Sequence, residues 1–176
     1  LQRYHVKSLF RYETISNQGK PFSLTSTREE PMFCYMMGDF VKLYRPQSKL
    51  RFLYGGDKLK DYIFGFEQLP SKGDVLFITG GEKDVLSLSS HHFNAICFNS
   101  ETASIPEPII ESLQLRFRHI VLLYDTDETG LREAERQAKL LEPYHVFYLR
   151  LSLQGTKAEK DISDFFALGK TEKDLT

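Results

Sequence analysis

Strand-like and helix-like patterns of apolar residues alternate through the second half of the chain, from Gly73 onward. Apolar runs typical of buried strands and periodic segments typical of helices follow one another at 74–80, 82–92, 94–99, 106–115, 119–125, 128–141 and 145–151. Strands that alternate with helices predict a parallel sheet with right-handed crossovers. We therefore expect an α/β fold, a parallel central sheet flanked by helices.

The first half has a different pattern, with short β-rich segments between polar turns and no helix-length periodic run. Strands are predicted within 32–46 and 49–56, and the segment 61–70 leads into the second half. We place the domain boundary between residues 72 and 73. This gives a small β-rich N-terminal subdomain at 1–72 and an α/β domain at 73–176.

Composition and charge narrow the class of protein. The 176 residues are 41% hydrophobic, and 23 basic residues against 24 acidic ones give a formal charge of -1, so nucleic-acid binding must come from a local patch. No segment approaches the roughly 18 apolar residues of a membrane span, and the start lacks a signal peptide. We expect a soluble, cytoplasmic protein, and a start without methionine favours a fragment of a longer one. Cys34 and Cys97 form no CxxC zinc motif.

Aspartates follow several of the predicted strands. Asp125 and Asp127 come directly after an apolar run, Asp84 follows the first strand of the series, and Asp161 follows the last. The carboxyl ends of parallel strands meet at one edge of a sheet, where such sheets bind ligands, so we expect one pocket. Converging carboxylates repel unless a cation lies between them. Oxygen ligands without a Cys or His cluster favour Mg²⁺ or Mn²⁺, and this chemistry suits phosphoryl transfer.

Three motifs carry a resemblance to a known family: TGGEKDVL at 79–86, LLYDTDETG at 122–130 and KDISDFF at 160–166. In this order and spacing the chain resembles a Toprim domain, most closely the primase part of phage-type primase-helicases and of bacterial replicative (DnaG-type) primases. The segments 38–52 and 63–70 resemble the N-terminal part of those enzymes. The resemblance thus covers nearly the whole chain, although only the Toprim part has specific motifs.

The resemblance implies a role for each matching residue. Asp125 and Asp127 match the metal-binding DxD motif, and Asp161 matches a further metal ligand. Asp84 matches the aspartate of the first motif, where Glu82 is a second catalytic candidate. The implied function is a DNA primase catalytic core, a nucleotidyltransferase of DNA replication that makes short RNA primers with Mg²⁺ or Mn²⁺. Its partners would be a single-stranded DNA template, ribonucleoside triphosphates and a helicase, separate or in the same chain, in a phage or another mobile element.

The chain departs from the family pattern at Gly80. The first motif of the family usually carries a glutamate four residues before the aspartate that matches Asp84, and Glu82 lies only two residues before it. One alternative is therefore a catalytically silent Toprim module that binds single-stranded DNA within a primase-helicase. A Toprim nuclease or topoisomerase is a further alternative, although no domain with a tyrosine nucleophile is evident.

Basic and aromatic residues are interleaved within a stretch of nineteen positions in the first half. Such a mixture can bind a phosphate backbone while aromatic rings stack on bases, and the alternative is a solvated face of a sheet. By resemblance, basic residues here contact the template and the nucleotide, and Lys42 and Arg45 are our first choices. The other basic residues of the stretch are Lys49, Arg51, Lys58 and Lys60.

Each acidic motif also has a purely structural interpretation. The DxD motif and KDISDFF could be turns that cap helices, because aspartate caps helices well, and Asp164 could be a solvated surface acid. Asp125, Asp127 and Thr129 also fit the DxDxT motif of aspartyl-nucleophile phosphatases. In those enzymes, however, the motif opens the domain and further motifs follow well downstream.

Overall fold

The computed structural model describes residues 1–16, 18–56, 62–156 and 158–175. The chain forms two compact units, Leu1–Asp61 and Tyr62–Thr176. The sequence placed the division later, between 72 and 73. The difference arises because Ile63–Phe64 forms a strand that pairs with the sheet of the second unit.

The first unit is β-rich, with antiparallel pairing throughout its described residues. Four strands form a sheet in the order β1-β4-β5-β6, and β2 pairs with β3 in a separate hairpin. The strands are β1 (Val6–Ser8), β2 (Arg11–Ile15), β3 (Pro21–Thr25), β4 (Phe33–Met37), β5 (Phe40–Tyr44) and β6 (Phe52–Gly55).

The second unit contains a five-stranded sheet in the order β11-β10-β8-β9-β7. The strands β8 to β11 run parallel, and β7 is an antiparallel edge strand. They are β7 (Ile63–Phe64), β8 (Gly73–Thr79), β9 (Asn94–Phe98), β10 (Phe117–Leu123) and β11 (Phe147–Tyr148). The predicted α/β fold with a parallel central sheet and a β-rich N-terminal region is therefore confirmed.

Helices connect the parallel strands, as the sequence predicted. The α-helices are α1 (Glu82–Ser90), α2 (Glu107–Gln114), α3 (Glu128–Leu140) and α4 (Ile162–Ala167). Short 3₁₀ turns occur at Gln2–Tyr4, Phe66–Gln68, Glu142–Tyr144 and Glu172–Leu175. No helix among the described residues is long and apolar enough to span a membrane.

The core of the second unit is centred on β8, β9 and β10. Leu76 and Ile78 on β8, Ile96 on β9 and Leu122 on β10 are all fully buried. Strands that are covered on both faces by helices read as continuous apolar runs, which is why the sequence revealed them. The packed strands give a rigid base for the loops at their carboxyl ends.

The direction of the crossovers reverses at β8. From β8 the chain passes through α1 to β9 on one side, and from β9 it passes through α2 to β10 on the other side of β8. Such a reversal opens a crevice at the carboxyl ends of the strands, where α/β sheets bind ligands. Leu123 pairs with Thr79, so β8 and β10 end at the same level.

Candidate active site

Three aspartates from distant parts of the sequence converge at this crevice. Asp84 lies in the first turn of α1, Asp125 follows β10, and Asp161 precedes α4. Each offers a carboxylate oxygen, and the three oxygens lie within 4.8 Å of one another. The structure thus brings together the three aspartates that the sequence placed at one edge of the sheet.

Burial makes this concentration of negative charge costly. Asp84 is buried, and burial, followed by the negative charge of Asp161, holds its pKa well above the usual range. Ser163 Oγ opposes this effect by donating a hydrogen bond to Asp84 Oδ1 at 3.0 Å. Burial also raises the pKa of Asp125, although a hydrogen bond from Lys160 opposes the rise.

Two lysines partly neutralise the cluster. Lys83 Nζ lies 2.6 Å from Asp161 Oδ2, and the Lys160 ammonium contacts Asp125. Burial alone would lower the pKa of Lys160, but its hydrogen bonds to Asp125 and Asp127 raise it overall. Two lysine charges do not balance three converging carboxylates. Carboxylate oxygens are hard ligands that suit Mg²⁺ or Mn²⁺, so the site is suited to a divalent cation.

Asp127 has a different position from its neighbour Asp125. Its side chain accepts a hydrogen bond from the Gly130 backbone N–H at 3.0 Å and caps the N-terminus of α3. Lys160 Nζ lies 2.8 Å from Asp127 Oδ2, and this bond is the main reason that the pKa of Asp127 is lowered. The helix-cap interpretation of the motif therefore describes Asp127, which is not one of the three converging aspartates.

Asp161 is both a helix cap and one of the three converging aspartates. It caps α4 in a capping box, in which its side chain accepts from the Asp164 N–H at 2.9 Å and the Asp164 side chain accepts from the Asp161 N–H at 3.3 Å. Asp164 is therefore a capping partner. Capping fixes the Asp161 side chain in one orientation, with one oxygen toward Asp84 and Asp125.

A backbone clamp joins two of the acidic segments. The carbonyl oxygen of Lys160 accepts hydrogen bonds from the Thr126 N–H at 2.8 Å and from Thr126 Oγ1 at 3.1 Å. Gly130 allows α3 to begin close to this loop, because a Cβ there would lie 2.2 Å from the Asp125 carbonyl oxygen. The loop after β10 and the segment before α4 are thereby held in register.

Glu82, the second catalytic candidate, is not a member of the converging group of carboxylates. It begins α1 and is only 2% exposed. Tyr62 Oη donates a hydrogen bond to Glu82 Oε1 at 2.6 Å. This contact ties the start of α1 to Tyr62, the first residue of the second unit.

Glu101 is an acidic neighbour of the site that the sequence did not reveal. It follows β9, and its Oε1 accepts a hydrogen bond from the Asp125 backbone N–H at 2.9 Å. Burial, then the negative charge of Asp125, raises the pKa of Glu101 to about 7. The carboxyl end of β9 could have signalled it, because the rule that placed the aspartates applies equally to this strand.

The basic candidates Lys42 and Arg45 belong to the first unit. Lys42 on β5 is 4% exposed, and its Nζ lies 4.7 Å from the centre of the Phe52 ring. Arg45 pairs with Glu30 at 3.2 Å. Among the described residues, Arg45 Nε is a buried side-chain atom without a hydrogen-bond partner.

Aromatic rings surround Lys42 on its face of the sheet. Lys42 pairs with Tyr54 on β6, and Tyr44 pairs with Phe52. The rings of Tyr44 and Phe52 stack with their centres 5.3 Å apart, and Tyr54 is about half exposed. Of the other basic residues in this stretch, Lys49 and Arg51 are exposed, and Lys58 and Lys60 lie outside the described residues.

Comparison with known proteins identifies the family. Residues 77–166, just over half of the chain, match the family model described as Toprim-like. The chain therefore belongs to the Toprim-like family, and the resemblance stated from its motifs is confirmed. No curated protein matches the sequence.

Solved structures of primases share the fold at low sequence identity. The primase fragment of the bacteriophage T7 primase-helicase is 19% identical with a TM-score of 0.65, over 87% of this chain and 64% of that one. The E. coli primase catalytic core is 17% identical with a TM-score of 0.60, over 93% of this chain and 55% of that one. A DnaG primase catalytic domain bound to single-stranded DNA is 16% identical with a TM-score of 0.62, over 92% and 55%. The chain thus spans about half to two thirds of their length.

Proposed function

We propose that this chain is the catalytic core of a DNA primase that synthesises short RNA primers on single-stranded DNA. The observation that carries the proposal is the convergence of Asp84, Asp125 and Asp161 at the crevice of a Toprim-like fold. The fold shared with the T7 and E. coli primase structures supports it. By the same analogy, the chain would work with a helicase, as the T7 primase-helicase does by its name.

In the proposed reaction, the 3′-hydroxyl of the growing primer attacks the α-phosphorus of a ribonucleoside triphosphate, a phosphodiester bond forms and pyrophosphate leaves. Asp84, Asp125 and Asp161 would hold Mg²⁺ or Mn²⁺, and Asp127 would contribute from the adjacent position. When bound, such a cation lowers the pKa of the attacking hydroxyl and neutralises phosphate charge.

The chain's own residues orient the proposed site. Ser163 fixes one oxygen of Asp84, and the capping box fixes Asp161. Lys83 and Lys160 supply positive charge beside the carboxylates, where they would bind the triphosphate as it enters. We assign Glu82 to support of α1 through Tyr62.

Lys42 and Arg45 would bind phosphates of the template or the nucleotide. The buried Arg45 Nε has no protein acceptor among the described residues, and a phosphate oxygen is a suitable one. The stacked rings of Tyr44 and Phe52 offer a surface on which bases of a single strand can stack.

The test is Mn²⁺ binding measured by EPR, followed by primer synthesis on single-stranded DNA. The wild type is compared with Asp125→Asn, with Asp125→Asn/Asp127→Asn, and with the matched control Asp74→Asn, an exposed aspartate at the other end of β8. We expect the wild type and the control to bind Mn²⁺ saturably and both site variants to lose this binding. We also expect the wild type to make primers and both site variants to make none. A wild type that binds Mn²⁺ but makes no primers would contradict the proposal.

Gly80 favours a second candidate function, a silent Toprim module that binds single-stranded DNA within a primase-helicase. This candidate predicts template binding without primer synthesis. It also predicts that Gly80→Glu alone creates activity, whereas the primase proposal predicts activity in the wild type.

A further inference from the structure

The space beside Gly80 is already filled by another acidic side chain. A Cβ added to Gly80 would lie 2.4 Å from Glu101 Oε1 and 2.9 Å from Glu101 Cδ. Real Cβ atoms essentially never make contacts below 3.0 Å, so the far end of the Glu101 side chain would have to move. A side chain at position 80 would therefore start out where the Glu101 carboxylate now lies.

Glu101 is held in this position by the acidic centre itself. Its Oε1 accepts a hydrogen bond from the Asp125 backbone N–H at 2.9 Å. Glu101 comes from the loop after β9, on the side of β8 opposite to β10. Its side chain thus passes the end of β8 at Gly80 to reach Asp125.

We propose that Glu101 supplies the active-site carboxylate that the family's first motif supplies from position 80. Glycine at 80 is then a requirement of the arrangement, because only a residue without a side chain leaves room for Glu101. The inference deepens the proposed function and rests on it. The acidic centre would consist of Asp84, Asp125 and Asp161 together with a glutamate delivered from a different strand.

The experiment compares four changes: Glu101→Gln, Glu101→Ala, Gly80→Glu, and Gly80→Glu combined with Glu101→Ala. Mn²⁺ affinity by EPR is the first readout and primer synthesis the second. Glutamine keeps an oxygen that can accept the Asp125 N–H but removes the negative charge, so it separates the charge from the hydrogen bond. The matched control is Glu135→Gln, an exposed glutamate on α3.

We expect both Glu101 variants to lose about 10- to 100-fold in Mn²⁺ affinity, the range for groups that support metal ligands, while Glu135→Gln matches the wild type. Gly80→Glu alone should also bind Mn²⁺ more weakly, because two carboxylates compete for one space. The double variant should regain most of the affinity and of the primer synthesis. Thermal unfolding and circular dichroism identify any variant that fails to fold. If the other variants fail to fold, the Mn²⁺ affinity of Glu101→Gln alone tests the inference.

Wild-type affinity in Glu101→Gln would overturn the inference, since the glutamate would then only fill space and accept a hydrogen bond. A double variant no better than Gly80→Glu would also overturn it. Both results leave the proposed function standing if Asp125→Asn abolishes binding. If the wild type binds Mn²⁺ with the help of Glu101 but makes no primers, the result contradicts the primase proposal and not the role of Glu101 in cation binding. A wild type without Mn²⁺ binding contradicts both.

Discussion

The two compact units bury charge of opposite sign. The second unit buries carboxylates, among them Asp84 and Asp161, whereas the described part of the first unit buries Lys42 and most of the Arg45 side chain. Burying a charge costs free energy unless a partner of opposite charge or a hydrogen bond compensates. A cation would compensate the carboxylates of the second unit, whereas in the first unit Glu30 already pairs with Arg45. The proposed function would use this contrast, with a divalent cation at the carboxylates and nucleic-acid phosphates at the basic residues.

The way the charge is compensated also differs between the units. Lys83 and Lys160 reach the carboxylates of the second unit from its own chain. In the first unit, Lys42 lies over an aromatic ring, and Arg45 Nε has no partner among the described residues. The acidic edge therefore has two lysines in positions that a cation could take, whereas the first unit compensates Arg45 through Glu30.

Removing the acidic side should have the largest effect. We expect Asp125→Asn to reduce primer synthesis by at least about 1,000-fold, because a ligand lost from a cation centre weakens transition-state stabilisation by several kcal/mol. Asp127→Asn should cost less, since asparagine caps helices as well as aspartate does. Initial rates and Mn²⁺ titrations measure the difference. Equal losses in the two variants would show that Asp127 is a full member of the centre.

Removing the basic side should give a smaller effect of a different kind. We expect Lys42→Met to keep the packing of the aliphatic chain but to raise the KM for nucleotide or template by about 10-fold, because one charge-assisted contact to phosphate is lost. Mn²⁺ affinity should not change. The exposed Lys49→Met serves as the control. A change in Mn²⁺ affinity in Lys42→Met would contradict the assignment of cation binding to the second unit and phosphate binding to the first.

Removing the Lys160 charge should strengthen Mn²⁺ binding, whereas removing an aspartate should weaken it. Lys160 contacts Asp125 and Asp127, so it competes with a cation for the same oxygens. We expect Lys160→Met to bind Mn²⁺ several-fold more tightly in the absence of nucleotide, since one ion pair no longer has to break. Titration by EPR measures this effect. Weaker binding would mean that Lys160 organises the carboxylates and does not compete.

The smallest expected effect concerns pH and stability without divalent cations. The folded chain raises the pKa of Glu101 from its ordinary 4.5 to about 7, so the folded state holds more protons than the unfolded state between these values. The contribution of Glu101 to the free energy of unfolding then falls as pH rises from about 4.5 to 7. Thermal unfolding in EDTA should show this fall, and Glu101→Gln should show a shallower one. Parallel curves for the two proteins would contradict the shift.

Much of the second unit could be predicted because its signals are local. Continuous apolar runs identified β8, β9 and β10, and the rule for the edges of parallel sheets brought Asp84, Asp125 and Asp161 together. The predicted boundary between 72 and 73 lies after the division between the compact units. The strand β7 (Ile63–Phe64) has only two residues, and its pairing with β9 is a contact distant in sequence.

The remaining features depend on three-dimensional geometry that spacing does not encode. The sequence predicted that Asp125 and Asp127 both join one pocket, but the Asp127 side chain caps α3 by accepting a hydrogen bond from the Gly130 N–H. Glu101 lies in no motif, and its contact with the space beside Gly80 requires the loop after β9 to cross the end of β8. In the sequence, Gly80 looked like the loss of a catalytic glutamate. In the structure, it is the point at which the Glu101 side chain comes close to the backbone.

The wide separation of the three aspartates along the chain has a consequence for folding. Asp84, Asp125 and Asp161 are each about 40 residues apart, so the centre exists only after β8, β10 and α4 have assembled. Contacts of such long range form late, because closing the intervening loops costs entropy first. An ion held by all three would bind only the native state and would stabilise it by about 2.7 kcal/mol at 100 times its Kd. The concentration of the free cation would then help to decide how much of this unit is folded.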